Sequence, residues 1–303
     1  MTPEKFEYIQ ALLKDHAGWE MSEDKLYILD RRLSVLARHK NLNNLSDLLE
    51  DIETKPKVTT GEIVEALAMT DTTFNRDYDV FKRLESVVLP QLKNAKKGSK
   101  RIRILSLGCS SGQEVYSMAM SINRIWGDEI YEWDIKIIGA DINKKALNKA
   151  QKARYSIFEV QQGMNIKDIL ANFKPVGDEW EVKSSIRKLV DFRECNIIDS
   201  MTFLDKFDLV ACRNVLKYLY TDNQSDLLTK IHNFQPVGGL LYVGKNEDLS
   251  AISSGYKRIN GFNCLYQSTS STPEVKVEIN ETVQNKKPDE AKAMPSFVKP
   301  TKM

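Results

Sequence analysis

Histidine is nearly missing from this chain of 303 residues, which holds three, at His16, His39 and His232. Reactions built on a histidine base have little to draw on. The four cysteines, Cys109, Cys195, Cys212 and Cys264, are widely spaced and form no Cys-x-x-Cys pair, which removes the usual zinc frameworks and thiol redox motifs. No metal site is expected. With no secretory leader ahead of them, the thiols read as reduced and the protein as cytoplasmic. No apolar run approaches the ~18 residues of a membrane-spanning helix, so direct membrane insertion is not expected. An excess of either charge is lacking too: 44 Lys+Arg against 42 Asp+Glu leave a formal net charge of +2. No global field draws the chain toward nucleic acid, and none is expected as a partner. What is present, 42% hydrophobic and 28% charged residues, suits a soluble globular protein of about two domains.

From Thr2 to about Val88 the pattern is helical throughout, with Leu26, Leu29, Leu33 and Leu36 on one face. Residues 1–90 read as a small N-terminal helical domain. Pro90 and the run Lys93–Lys100 break that pattern and place a boundary near 90–100. Strands and helices then alternate: Ile102–Leu107, a helix from Glu114 to about Trp126, Ile135–Ala140, a helix over Lys144–Lys152, Val190–Arg193, Leu209–Cys212, a helix over Ser225–Phe234, and Leu240–Val243. Alternation of this kind predicts an α/β fold, a doubly wound, mostly parallel sheet over residues 91–267. Between Tyr155 and Leu189 it lapses, and Phe173–Val182 reads as a turn between short strands, so 155–189 is an expected β insertion. The Ser-, Thr-, Lys-, Glu- and Pro-rich stretch 268–303 is expected to be disordered.

The most informative segment is Ile104–Ser117, where a buried-strand pattern runs into Gly108-Cys109-Ser110-Ser111-Gly112 and opens a helix with Gln113-Glu114. Small residues at such a turn let a ligand approach the backbone, and the helix start points free N–H groups at it. A dinucleotide fingerprint would need Gly-x-Gly-x-x-Gly, which is not here. Gly-x-Ser-x-Gly also matches a nucleophile elbow, but no histidine lies in a motif suited to partner Ser110. A carboxylate beside the turn repels a pyrophosphate and suits a cationic amine, which points to S-adenosylmethionine. Gly108, Asp141, Asn196 and Asn214 each follow a predicted strand and should meet at the carboxyl edge of the sheet.

Ordered blocks along residues 5–267 then resemble one family, the chemotaxis receptor methyltransferases of the CheR type. Met69-Thr70-Asp71-Thr72-Thr73-Phe74-Asn75-Arg76 is similar to its N-x-T-x-F-F-R, and Gly108–Ser117 to its S-T-G-E-E-P-Y-S. Gly139–Ile142 with Ala146-Leu147 and Ala150–Tyr155 resembles D-I-D-x-x-x-L-x-x-A-R-x-G-x-Y. Phe192–Ile197 resembles F-x-x-x-N-L, Cys212–Leu219 resembles C-R-N-V-x-I-Y-F, and Gly244–Glu247 resembles G-x-S-E. The resemblance implies a helical domain followed by a Rossmann-like methyltransferase domain with a small β insertion. It also implies S-adenosylmethionine as cofactor, S-adenosylhomocysteine as product, and glutamate side chains of the cytoplasmic helical domain of chemoreceptors as substrate.

Carried onto this chain, the resemblance places Thr70, Thr72, Arg76, Gly108, Glu114, Asp141, Asn196, Ile197, Arg213 and Asn214 at the cofactor, and Arg76 and Tyr218 at the methyl-transfer site. The residue types fit. Asp141 can accept from both ribose hydroxyls, or cap the helix near Lys144. Glu114 can pair with the methionine ammonium, or complement a helix dipole. Asn196 and Asn214 can read adenine or the amino-acid end, or serve as turn residues. Arg76 can hold an acceptor carboxylate in a fixed fork, or form a domain-interface salt bridge; Tyr218 can line the transfer site or be a core aromatic. Transfer to a carboxylate needs no general base, because glutamate is already ionised near neutral pH.

The chain departs from the family pattern at Thr70, Asn75, Gln113, Val115 and Lys245, where the family has asparagine, phenylalanine, glutamate, proline and often histidine. Gln113 and Thr70 fall at or beside expected cofactor contacts, and Gln113 is expected to weaken binding by removing a charge. A second reading is therefore a degenerate relative that binds the cofactor in a regulatory role without transfer. Lys25, Arg32 and His39, and Arg31 and Arg38, recur at seven-residue spacing beside the leucine face. They form a basic flank for an acidic receptor, or an ordinary solvated face. A monomer is the expected state.

Overall fold

The computed structural model describes residues 2–201, 206–250, 252 and 255–269. The chain opens with four helices: α1 (Pro3–Ala17), α2 (Leu26–His39), α3 (Leu45–Thr54) and α4 (Pro56–Leu67). Thr2 caps α1 by accepting from the Lys5 N–H, and Pro3 occupies its first turn, where a missing N–H costs nothing. Leu29, Leu33 and Leu36 of α2 are buried at the expected spacing, packed with Ile9, Leu13, Leu48 and Ile63, while Leu26 lies half-buried against the same core.

The helical pattern does not run unbroken to Val88. Met69–Asp77 is a non-helical loop, followed by α5 (Tyr78–Arg83), a π-helical turn (Leu84–Val88) and α6 (Leu89–Ala95). Phe74, Phe81, Leu84, Val88, Leu89 and Leu92 pack into the second core, whereas the first core ends at Leu67. The division between cores therefore falls in the 67–74 stretch rather than near 90–100. Pro90 does not stop the helix, because it sits where the π turn has already shifted the hydrogen-bond ladder. Lys93–Lys100 covers the end of α6 and an exposed turn.

From there β1 (Arg101–Leu107), α7 (Gln113–Trp126), β2 (Asp134–Asp141) and α8 (Lys144–Lys152) form the first crossover unit. The insertion carries β3 (Arg154–Ser156), α9 (Ile157–Gln161), α10 (Ile166–Asn172), β4 (Phe173–Val176), β5 (Glu179–Val182) and α11 (Ser184–Arg187). Its strands form an antiparallel sheet of their own in the order β3-β5-β4. The chain then returns through β6 (Val190–Glu194), β7 (Leu209–Cys212), α12 (Thr221–Asn233), β8 (Leu240–Val243), β9 (Tyr256–Arg258) and β10 (Leu265–Ser268).

The large sheet has the order β6-β2-β1-β7-β8-β10-β9. Ile104 of β1 faces Ile137 of β2 on one side and Leu209 of β7 on the other, all parallel and buried, as a sheet covered on both faces requires. The chain order reverses between β1 and β7, and a crevice opens at the carboxyl ends of strands at such a point. The antiparallel β9 and β10 were not legible as strands: they are short and joined by the asparagine- and glycine-containing turn Ile259–Cys264. Ser268 pairs with Tyr256, so the sheet reaches one residue into the expected tail; the rest of that segment, from residue 270, lies outside the described residues. Among the described residues no helix is long and apolar enough to cross a membrane.

Candidate functional site

The site is built on the turn after β1. The Gly108 and Cys109 N–H groups both donate to the Ala140 carbonyl of β2, which ties the turn to the neighbouring strand. Gly108 has φ of 69°, and a Cβ there would stand 2.5 Å from Val215 Cγ2. Gly112 has φ of 88°, and its Cβ would meet Ala150 and Phe192 at 2.9 and 3.0 Å. Both positions need a left-handed backbone and no side chain, because protein atoms already fill the space beside each, and Gly108 itself lines the cavity at this edge.

A cavity lies at this edge of the sheet. Its polar lining brings together Thr72, Arg76, Gly108, Glu114, Asp141, Asn196, Arg213, Asn214 and Tyr218, with Ile197 on its apolar wall. Asp141 accepts from the Ser110 N–H at 2.7 Å and the Asn143 N–H at 2.8 Å. Burial raises its pKa above the usual carboxylate value, against the lowering effect of those N–H groups. The cap of α8 is Asn143, whose side chain accepts from the Ala146 N–H, so Asp141 is not spent as a helix cap.

Glu114 is not a lone carboxylate. It accepts from Ser106 Oγ at 2.8 Å and from Arg213 at 2.9 Å, and Arg213 also donates to Asp77 at 2.7 Å. Burial of the Arg213 guanidinium opposes its charge, but Glu114, Tyr242 and Asp77 more than offset this and hold its pKa above the usual arginine value. Arg76 keeps a looser partner: it donates to the Asp71 carbonyl at 2.7 Å and lies 3.4 Å from the largely exposed Asp71 carboxylate, within its own loop and not across a domain interface. Asn214 Oδ1 is buried without a hydrogen-bond partner. Asn196 donates its amide to the His16 carbonyl at 2.7 Å. Tyr218 is half-buried, with Lys25 and Lys217 ammonium groups 5.3 and 5.0 Å from its ring centre, which is not the setting of a core aromatic.

Thr70, an expected cofactor residue, and Gln113, expected at or beside a cofactor contact, lie outside the cavity lining. Thr70 is exposed, accepts from Ser110 Oγ through its carbonyl, and faces a shallow neighbouring depression that also holds Gln113. The Gln113 side chain is buried there and accepts from Ser111 Oγ at 2.9 Å. Successive residues on a helix point ~100° apart, and here Glu114 lines the cavity while Gln113, tied to Ser111, does not. The expectation that Gln113 weakens a contact to the cofactor is therefore corrected.

The apolar wall was missed. Trp19, Met21, Leu67 and Ala68 come from the N-terminal domain and line the cavity together with Ile142 and Val215. No local signal marks them, because a contact across domains leaves no periodicity. Glu247 was legible only as part of a block; it accepts from the Asn214, Gly244 and Lys217 N–H groups and fixes the loop after β7.

A mostly parallel sheet with this switch point, a glycine-bounded turn, an acid closing the second strand and a cavity both acidic and apolar define an S-adenosylmethionine-dependent methyltransferase. Comparison with known families agrees: residues 70–262 match the CheR methyltransferase, SAM binding domain, and residues 4–67 the CheR methyltransferase, all-alpha domain. The chain is 32% identical over 257 residues to chemotaxis protein methyltransferase 1 of Pseudomonas aeruginosa, covering 84% of this chain and 93% of that protein. It is 31% identical to chemotaxis protein methyltransferase Cher2 of Pseudomonas putida, over 84% and 94% of the two chains. Against chemotaxis protein methyltransferase 1 of Vibrio cholerae identity is 30%, over 82% and 90%. The chain belongs to the CheR family of chemotaxis methyltransferases, and its cofactor is S-adenosylmethionine.

Proposed function

We propose that the chain methylates glutamate side-chain carboxylates on the cytoplasmic helical domain of chemoreceptors. The observation that carries this reading is the state of the two cavity arginines. Arg213 is committed to the carboxylates of Glu114 and Asp77, while Arg76, which lines the cavity, is held only within its own loop, by the Asp71 carbonyl and, at 3.4 Å, the exposed Asp71 carboxylate. A guanidinium whose only charged partner is an exposed carboxylate at 3.4 Å can exchange it for an incoming carboxylate.

Bound S-adenosylmethionine supplies a methyl group on a sulfonium sulfur. Asp141 would accept from the ribose hydroxyls, the cavity face of Glu114 and the unpartnered Asn214 Oδ1 would take the cationic amine, and Trp19, Met21 and Ile197 would pack on the base. The orphaned Asn214 oxygen is itself a sign of a missing donor. Arg76 and Tyr218 would orient the acceptor, whose carboxylate is ionised at neutral pH and needs no base. No histidine lines the cavity, and its two cysteines are poor nucleophiles: burial pushes the Cys195 thiol up to about 11 and raises that of Cys109 further from its ordinary value.

The approach of a helical substrate is supported by α2. Lys25, just before α2, has its ammonium over Tyr218, and beyond it the helix exposes Arg31, Arg38 and His39 with Tyr27, Ile28 and Val35. Arg32 does not belong to that free face, since it donates to the Leu67 and Ala68 carbonyls. A monomer suffices for this arrangement. Incubation with labelled S-adenosylmethionine and receptor cytoplasmic domains should give base-labile methyl incorporation. Binding of S-adenosylhomocysteine with no transfer to any receptor domain would sink the proposal.

A further inference from the structure

Arg76 is placed only as well as the loop that carries it. Asn75 and Asp77, on either side of it, both hold left-handed backbones, with φ of 49° and 56°. Asparagine and aspartate tolerate that region better than other side chains, but it still has to be held. Each of the two is held from outside the loop. Asp77 accepts from the buried Arg213, whose guanidinium also donates to the Arg76 carbonyl at 3.0 Å.

Asn75 is held twice. Its N–H donates to Ser117 Oγ on α7 at 3.0 Å, and its Nδ2 donates to the Gly163 carbonyl at 3.0 Å, inside the β insertion. The insertion fits closely at that point: a Cβ on Gly163 would stand 1.8 Å from the Phe74 carbonyl oxygen. Phe74 is fully buried, with its ring edge-on to Tyr155 of β3 at 5.0 Å and to Phe173 of β4 at 5.5 Å. The residue before Asn75 is thus a plug in the insertion's core, and Asn75 ties the insertion's backbone to the arginine loop. Asn75 itself does not line the cavity. The phenylalanine that stands here in the family pattern has no amide to donate to Gly163.

We propose that Asn75 is a positioning residue: by joining the Gly163 carbonyl and Ser117 it sets the backbone from which Arg76 reaches the acceptor, and it makes the β insertion part of the frame of the transfer site. The proposal rests on the reading that Arg76 orients the acceptor carboxylate. A shift of about 1 Å in a group that aligns reactants costs on the order of a hundredfold in rate, so a backbone tie of this kind is worth a measurable factor.

The test is Asn75→Gly, which keeps the left-handed backbone accessible and deletes the amide. Amide hydrogen exchange on the full chain should rise together in residues 72–78 and 160–166, with little change in melting temperature. Methyl transfer to receptor domains should fall in kcat by roughly tenfold to a hundredfold, with S-adenosylhomocysteine affinity within about twofold and no comparable fall when Arg76→Ala is already present, as coupled residues require. Ser117→Ala removes the acceptor from the helix side with a good helix former and should act in the same direction. Unchanged exchange at 160–166, or an equal fractional loss in the Arg76→Ala background, overturns the proposal. Wild-type transfer is measured in the same assay: its absence defeats the glutamate reading, whereas wild-type rates retained in Asn75→Gly defeat this one.

Discussion

Arg213 shows how a single side chain can hold a site without facing the reaction. Its guanidinium is almost fully buried between Glu114 and Asp77, over the Tyr242 ring. Replacing it by methionine leaves the Glu114 charge buried without compensation, so Arg213→Met should lower unfolding free energy by about 3–5 kcal/mol in urea titrations. Asp141 makes a pH-dependent prediction. Its folded pKa is raised, chiefly by burial, so the native state keeps this proton to higher pH than the unfolded chain, and the group's contribution to stability falls as pH rises through that window. Cofactor affinity runs the other way, because hydroxyls are best accepted by the ionised form. Calorimetric S-adenosylhomocysteine affinity should weaken as pH is lowered into the raised window, and Asp141→Asn should flatten that dependence; a flat wild-type profile removes the ribose assignment. At this scale the sequence was most legible where a residue type is chemically unusual for its place, as with Asp141 and Glu114 at strand and helix ends. It is least informative at Gln113, which is next to Glu114 in sequence but turns to Ser111 and away from the cavity lining in space.

Among the elements, the turn between β1 and α7 is the most constrained. Gly112→Ala would force a side chain into the left-handed region and against Ala150 and Phe192, and should cost on the order of 1–3 kcal/mol in thermal or chemical unfolding. Strands β1, β2, β7 and β8 were legible because parallel strands buried on both faces read as apolar runs. The hairpin over Phe173–Val182 was legible from its turn residues. Strands β9 and β10 were not, nor was the loop Met69–Asp77, whose residues look helical in isolation. That loop is non-helical because its partners are remote: Ser110, Ser117, Gly163 and Arg213 hold it, and each lies far along the chain.

Over the whole molecule, the two cores meet at the cavity. Trp19 bridges Leu219, the Glu20 N–H donates to the Tyr218 carbonyl at 2.8 Å, and the Tyr220 N–H donates to the Gly18 carbonyl at 3.0 Å. A ligand in this cavity touches both domains and should stabilise both. S-adenosylhomocysteine at a hundred times its Kd should add about 2.7 kcal/mol and raise the unfolding of the two domains together in scanning calorimetry. Trp19→Ala should weaken that coupling; a ligand shift confined to one transition would show that the N-terminal wall contributes nothing. By itself the sequence determined the class of fold, the turn that opens to a ligand and most of the polar residues around it, because strand and helix periods and small-residue turns are local properties. Which residue of Gln113 and Glu114 faces the cavity, where one core ends and the next begins, and what holds Arg76 in place were decided only by the tertiary structure, since each depends on contacts between segments that no local pattern encodes.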